Sequence, residues 1–419
     1  MSSVPLFTSK KEFFVTFGVV LCVACISLLI EFYHYSLFIK TPLHIEKATV
    51  FNHYQKTNAK GKTYDVVKLK LDSGEELYTV SWKPLHIELK SRVKVKFEIK
   101  ELSFVEYLKG FFVPSHFMYT IYEDNPPFDV RFLYRFIREQ HEETKMQELY
   151  TALLFATPLS KELREDVQKW GITHLVAISG YNVGVISFLL FFLLKPLYTL
   201  LQSRYFPYRQ ASADLMPIVF SVLIAYMVII DYVPPFMRAV VMSMVGFFFF
   251  SKGVKVLSFE TLFSVVLGLL AFMPSLFFSL SFWFSVAGVF YLFLFIHHVK
   301  WNNKLGLYLG LDVFVFISMI PIVHHFFPVF TLLQLTSPLW SIVFILFYPV
   351  SLVVHLFGQG GILDGVVMAF LEVNTHSYEL SVPLWFLIPY IALSLVAIWS
   401  RKLFVMSFLM ALSAFCFIQ

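Results

Sequence analysis

The chain is poor in charge. Of its 419 residues only 15% are Asp, Glu, Lys or Arg, against 58% hydrophobic ones, and the mean hydropathy is +0.71. An ordinary soluble domain carries roughly a quarter charged residues, so a water-soluble globular body is excluded for most of this sequence. Cysteine is nearly absent. Cys22, Cys25 and Cys416 each lie in an apolar stretch, which rules out a disulfide framework and a thiolate zinc site. A nucleotide loop is missing as well. "NAKGKTY" ends in Gly-Lys-Thr, but position 56, where the first glycine of a P-loop belongs, is Lys. It reads as a hairpin turn, and any energy source lies elsewhere. The adjacent pairs His297-His298 and His324-His325 cannot converge on a metal from one helix face. They read as interfacial or structural, with phosphate contact as the alternative.

What is present is apolar length. The run Phe13–Ile30 follows Lys10 and Lys11 and has no small-x-small exit, so residues 1–32 read as an uncleaved anchor. Residues 33–125 change texture. "KTYDVVKLKLDSG" and "SRVKVKFEIK" alternate with period two and are separated by turn signals, which predicts a small β-barrel or sandwich. From about residue 128 the pattern is helical and amphipathic, and "SKELREDVQKWGI" reads as a helix capped by Ser160 and stopped by Gly171. Apolar segments then fall near 174–200, 213–231, 234–251, 257–274, 277–298, 305–328, 331–357, 383–400 and 402–418. Several are about 18 residues or longer, roughly enough to cross hydrocarbon. The stretch 358–381 is too polar to span and reads as a loop with an interfacial helix near Val366–Val373. The fold class is therefore a polytopic α-helical membrane protein with a small extracytoplasmic β-rich domain.

Loop charges orient it. Lys10/Lys11, Arg204/Arg209, Lys252/Lys255, Lys300/Lys304 and Arg401/Lys402 mark one side, while the loops near 231–234, 274–276, 328–331 and 358–381 hold no Lys or Arg. The positive-inside pattern puts the N-terminus in the cytoplasm and the β-rich domain outside. It also demands an odd number of crossings between 305 and 357, where two proline-bearing segments are counted. One of them is expected to be broken or re-entrant.

The polar stretch "HLVAISGYNVGV" opens the segment at 174. Gly180 and Gly184 form a small-xxx-small pair suited to close helix packing, with Ser179 and Asn182 as interhelical glue. The alternative is that His174, Ser179 and Asn182 line a polar passage, since buried polar groups in a membrane are costly. As a helix beginning at 174, the stretch places 179 and 182 on one water-facing side, and the two glycines on a packed wall. Arg238 falls about one turn into an apolar helix, at a cost of roughly 2.5–3.5 kcal/mol on insertion scales. Its guanidinium fits a phosphate, snorkelling to the surface is the alternative, and Asp231 is a possible partner. Glu260, Asp312, His355 and Gln334 read as satisfied bundle contacts, Glu260 and Asp312 near helix starts. Residues 40–109 carry 14 basic and 9 acidic side chains. Arg92, Lys94, Lys96 and Lys100 share one strand face, a solvated surface or a track for a nucleic-acid backbone with Tyr64, Tyr78 and Trp82 for stacking.

"GITHLVAISGYNVGVI" resembles the signature of the ComEC competence family, an inner-membrane channel for DNA, through Gly171, His174, Leu175, Ala177, Ile178, Ser179, Gly180, Val183 and Gly184. Tyr181-Asn182 stands where the family commonly has Leu-His, and Asn cannot titrate. "PPFMRAVVMSMV" is similar to the family's P-x-x-R-A-x-x-M segment through Pro234, Arg238, Ala239 and Met242. "SLFFSLSFWFSVAGVF" is similar to a further segment through Ser281, Phe282, Ser285 and Ala287. The resemblance implies an OB-like outer domain (33–125) and a transmembrane channel domain (126–419) that passes single-stranded DNA across the bacterial inner membrane in natural transformation. It implies a lipid bilayer, a separate periplasmic DNA receptor, a nuclease and a cytosolic motor or helicase as partners, and leaves a homo-oligomer open. Many members carry a metallo-β-lactamase-like domain with H-x-H-x-D-H, and this sequence holds no such motif. No catalytic, cofactor or metal constellation emerges, so the chain reads as a channel and not an enzyme. His174, Ser179, Gly180, Asn182, Gly184 and Arg238 are the expected pore contacts, and Arg92, Lys94 and Lys96 the outer DNA contacts. The alternatives are a small-solute secondary transporter with a midplane site and an intramembrane enzyme using Ser179 or His174.

Overall fold

A computed structural model describes residues 6–7, 9–57, 63–81, 91–99, 101–120, 130–178, 180–230, 232–253, 256–300 and 302–418. The chain divides into two compact units. One comprises residues 9–136 with 267–279, the other residues 1–8, 137–266 and 280–419.

The first unit begins with α1 (Lys10–Phe38), whose start is capped by Ser9, its hydroxyl accepting from the Glu12 amide at 3.2 Å. Six strands follow: β1 (Leu43–Thr57), β2 (Thr63–Leu71), β3 (Glu76–Ser81), β4 (Arg92–Glu98), β5 (Phe111–Phe112) and β6 (Ser115–Thr120). The helix α2 (Phe104–Lys109) precedes β5. The ladder order is β5-β3-β2-β1-β4-β6. Its two ends, β5 and β6, are separated in sequence only by Val113 and Pro114. One bent segment thus pairs with β3 at one end and β4 at the other, and brings the sheet round on itself. The amide of Val113 donates to Tyr78 O at 2.9 Å, and that of Ser115 to Thr79 Oγ1 at 2.9 Å.

Period-two alternation fills the interior as the sequence predicts. Val93, Val95 and Phe97 are buried beside Val50, Val67, Leu69 and Leu77, while Arg92, Lys94 and Lys96 lie on the opposite face. Phe38, in the last turn of α1, enters the same core. His44 lies between two rings, 4.5 Å from Phe38 and 5.1 Å from Phe97 by centroid. Lys100 and Trp82 lie outside the described residues, as does the 58–62 turn, although β1 and β2 pair up to Thr57 and Thr63.

After α3 (Val130–Arg138), the second unit runs through α4 (Thr144–Phe155), α5 (Lys161–Lys169), α6 (Thr173–Val176), α7 (Gly180–Tyr205), α8 (Ala211–Ile229) and α9 (Pro234–Ser251). It continues with α10 (Phe259–Phe272), α11 (Leu280–His298), α12 (Lys304–Phe326), β7 (Val329–Phe330), α13 (Ser337–Leu356), α14 (Asp364–Leu371), β8 (Tyr378–Glu379), α15 (Leu384–Val396) and α16 (Arg401–Ser413). Among the described residues, six helices are long and apolar enough to cross a membrane: α1, α7, α8, α11, α12 and the run Leu332–Leu356, which includes α13. Phe188, Phe192, Leu200 and Leu346 are among the many apolar side chains that point outward from these helices. Two buried clusters organise the unit. Ile178, Val183, Val219, Leu223, Phe236 and Val240 join α7, α8 and α9. Tyr291, Leu294, Phe314, Phe386, Tyr390, Phe404 and Ala411 join α11, α12, α15 and α16.

All nine apolar segments are helical, and α14 is the expected helix of the 358–381 loop. Three expectations are corrected. The segment placed at 174–200 does not start as one helix at 174. It breaks after α6 at Ala177–Ile178 and resumes at Gly180. Asp312 is not at a helix start but well inside α12. The broken or re-entrant segment expected within 305–357 is not seen: α12 and the run Leu332–Leu356 are both long and apolar enough to cross, the non-helical span 327–331 lies between them, and Pro321 and Pro349 sit inside continuous helices.

Phe97→Ala is expected to cost about 3–5 kcal/mol, the usual penalty for emptying a filled aromatic site. Amide exchange in β1 and β4 should then accelerate at least about a hundredfold. Unchanged exchange would mean that the barrel core does not rest on this ring.

Candidate functional site

The family-like motif begins where α5 ends. Ser160 caps the start of that helix, its hydroxyl accepting from the Leu163 amide at 3.3 Å. Gly171 ends it with a left-handed φ of 66° that disfavours other residues. The orphan carbonyls of this terminus are taken up by the break between α12 and α13. Gln334 Nε2 donates to Gln168 O at 3.0 Å, Thr331 Oγ1 donates to Lys169 O, and Ser337 Oγ donates to Gly171 O at 3.0 Å. A Cβ on Gly171 would stand 3.3 Å from Ser337 Cβ and 3.4 Å from Gln334, so this approach needs glycine. The other face of α5 is held to α4 by Asp166, which lies 2.5 Å from Lys145 and 2.6 Å from Lys169. Burial works to raise the Asp166 carboxyl, but its hydrogen bonds to the two lysines prevail and hold it below the ordinary carboxylate value.

The motif then climbs α13. Tyr181 donates from its hydroxyl to Ser341 O at 3.1 Å, and its ring lies 5.5 Å from that of Phe344. Asn182 is fully buried at 0% exposure, beside Tyr348 of α13, which in turn lies near Tyr226. Tyr226 in turn donates to Leu154 O. This corrects the expectation that 182 faces water. The two residues that depart from the family's Leu-His are the two that dock on α13. Gly180 faces Ala239 of α9, where a Cβ would sit at 3.6 Å, but Gly184 has no neighbour within 4 Å. The two glycines therefore do not form one packed wall. His174 is exposed on α6, with Nδ1 donating to Gly171 O at 3.0 Å. Ser179 and Asp231 lie outside the described residues.

Arg238 is the buried arginine of the second family-like segment. It is 3% exposed in α9, so it does not snorkel to the chain's own surface. Nη2 donates to Ser281 O at 3.2 Å, and the guanidinium lies 5.3 Å from the Phe282 ring centroid. Two family-like segments therefore meet here. Nε and Nη1 have no hydrogen-bond partner among the described residues. A buried guanidinium with two idle donors is costly, about 1–3 kcal/mol for each unsatisfied group. It is also ready to receive an anion.

In the barrel unit, Arg92, Lys94 and Lys96 of β4 lie beside Lys47 and Thr49 of β1, in register Thr49↔Arg92 and Lys47↔Lys94. The same face carries Lys70 of β2, 5.5 Å from the Phe51 ring, and Lys68, 5.6 Å from the Tyr78 ring. Tyr119 of β6 pairs with Lys94. Arg92 is bound to Asp72 at 2.7 Å and Lys68 to Glu76 at 2.5 Å, so part of the charge is met within the sheet. The result is a basic face with interleaved aromatic rings, wider than the single strand legible in the sequence.

No periodicity or motif marks a third cluster, in which His141, His355 and Asp364 touch across more than two hundred residues. The other histidines read as structural. His298 Nε2 donates to Ala397 O at 2.7 Å, His325 Nδ1 to Val382 O at 2.7 Å, and His324 Nδ1 to Phe327 O at 3.1 Å. Among the described residues, no three His, Cys, Asp or Glu side chains converge as a metal site.

The family model described as "Competence protein" matches residues 156–418, from the end of α4 to the last helical turn. The chain belongs to the competence protein family. The match takes in the docking strip on α13, Arg238 and Ser281, and starts after the barrel. Neither a curated protein nor a solved structure matches the chain.

Arg238→Met keeps the apolar stem and removes the idle donors. The thermal midpoint of the purified variant is expected to equal or exceed the parent's, because an unsatisfied buried charge is lost. A clear fall would make the guanidinium a structural tie.

Proposed function

We propose that the chain conducts single-stranded DNA across the bacterial inner membrane during natural transformation. The observation that carries this reading is the family match over residues 156–418, most of the helical unit, since competence proteins serve DNA uptake. The six helices long enough to span a bilayer support a multi-pass membrane protein. The loop charges support a cytoplasmic N-terminus, with the barrel on the outer side.

The barrel supports a capture step. The strand order β1-β2-β3, then the bent segment, then β4 back to β1, supports an OB-like domain. Its basic face with Phe51, Tyr78 and Tyr119 suits a charged backbone and stacked bases. In the helical unit, Arg238 is the side chain best suited to a passing phosphate. Ser179 and His174 remain pore candidates in this reading, while Asn182 acts by holding α7 to α13. The chain is a conduit here. A periplasmic receptor presents the strand, a separate nuclease degrades its complement, and a cytosolic motor or helicase draws it inward.

Two measurements test the reading. Arg238→Ala at parental protein level should lower transformation by about ten- to a hundredfold, the worth of one or two charge-assisted hydrogen bonds. Parental transformation would remove Arg238 from the path. The detergent-purified full chain should bind a labelled single-stranded oligonucleotide with salt dependence of roughly −0.7 per phosphate contacted. Lys94→Glu with Lys96→Glu should flatten that slope. Absence of binding at low salt would leave the sheet face as a merely solvated surface.

A further inference from the structure

The cluster missed by sequence reading has a hydrogen-bond pattern that fixes its proton count. His141 Nδ1 lies 3.0 and 2.9 Å from the two carboxylate oxygens of Asp364. His141 Nε2 lies 3.0 Å from His355 Nε2. His355 Nδ1 lies 2.6 Å from Ser351 O. A carbonyl oxygen only accepts, so His355 Nδ1 carries a proton. The contact between the two Nε2 atoms needs one proton between them. The contact between His141 and the carboxylate needs a third.

Two neutral imidazoles and a carboxylate hold only two protons between them. The chain of contacts closes only when it holds one more, and the trio is then net neutral. Without that proton, the half-buried Asp364 carboxylate keeps an uncompensated charge and one contact sets lone pair against lone pair. Both histidines are buried.

The surroundings offer no other source of the proton. From α4, Tyr150 stacks on His141 at 4.5 Å and lies 4.6 Å from His355 by ring centroid. Burial first, and the Asp364 charge second, push its phenol well up, so it stays neutral. Glu139, Glu142 and Glu143 of the turn between α3 and α4 are exposed. Arg138 is turned to Gln147 Oε1, at 3.1 Å.

The cluster joins two chain turns. Gln140 Oε1 accepts from the Gly360 amide at 2.8 Å, and Gln140 Nε2 donates to His355 O at 3.2 Å. A Cβ on Gly360 would fall 2.6 Å from the His355 ring, and one on Gly361 would fall 2.7 Å from Gln140 O. The glycines let the backbone close over the histidine.

We propose that His141, His355 and Asp364 form a proton-binding latch that ties the 139–143 turn to the 355–364 turn. The ligand is a single proton from the solvent on that side. Once the latch opens, no contact requires the third proton, and near neutral pH it is released to solvent. The closed state then holds one proton more than the opened one. Closure is therefore favoured as pH falls, and the opening constant rises by up to about tenfold for each pH unit of increase.

Asp364→Asn isolates the effect. Its amide can donate to His141 Nδ1, which completes every contact with two neutral imidazoles and no extra proton. The experiment follows exchange of the amides of residues 359–363 in the detergent-solubilised full chain from about pH 6.5 to 8.5, corrected for intrinsic base catalysis. The Gly360 amide reports the latch directly. The parent should lose up to about tenfold in protection per pH unit, Asp364→Asn should be flat, and Tyr150→Phe should keep the parental slope. A flat parent overturns the proposal, whether or not the Asn variant accumulates. So does an Asn variant that keeps the slope, or loss of the slope in Tyr150→Phe, which would make the phenol the titrating group.

Discussion

The helical unit depends on how the carbonyl groups at the end of α5 are satisfied. A helix terminus leaves several acceptors without partners, and in an apolar body water cannot be relied on to meet them. Thr331, Gln334 and Ser337 supply the donors, from a segment where the chain itself is not α-helical. One irregularity therefore resolves another. The break after α12 exposes polar groups, α5 ends on polar groups, and the two are sewn together at Gly171. From that fixed point α6 and α7 follow, and Tyr181 and Asn182 continue the seam up α13.

Polar side chains in this unit fall into two kinds. Asn182, Tyr348 and Tyr226 lie beside one another and end on the Leu154 carbonyl, which makes them interior ties. Arg238 has a stacking partner and one carbonyl but retains two idle donors among the described residues. The first kind is neutral and closely packed, whereas the second is a buried charge that an apolar residue of that length would spare. This difference, and not polarity as such, singles out Arg238.

The fold was legible to the extent that solvent chemistry writes it into the chain. Nine hydrophobic segments, the alternation Val93-Lys94-Val95-Lys96-Phe97 and the Ser160 cap were all read directly, because each reflects a local rule of burial or capping. The break at Ala177–Ile178 was not read, since no proline marks it and the polar stretch around it was taken as one helix. Asn182 was expected to face water and is buried, because polarity alone does not say whether a side chain meets solvent or a neighbouring helix. His355 was read as a satisfied contact, which it is. That its partners are His141 and Asp364 was beyond reach, since tertiary contacts across such separations leave no periodic trace.

The two-residue link Val113-Pro114 has a consequence for life before the membrane. A β-sheet that ends in an open strand is a template on which a second chain can polymerise. Here the segment that would be one border is also the other, and the Val113 and Ser115 amides are already spent on β3. During synthesis, when many nascent copies of an oily protein crowd the same translocation sites, this module offers little backbone for a neighbour to grasp. The helical remainder can then wait for lipid without being dragged into fibrous aggregates by its own β-rich domain.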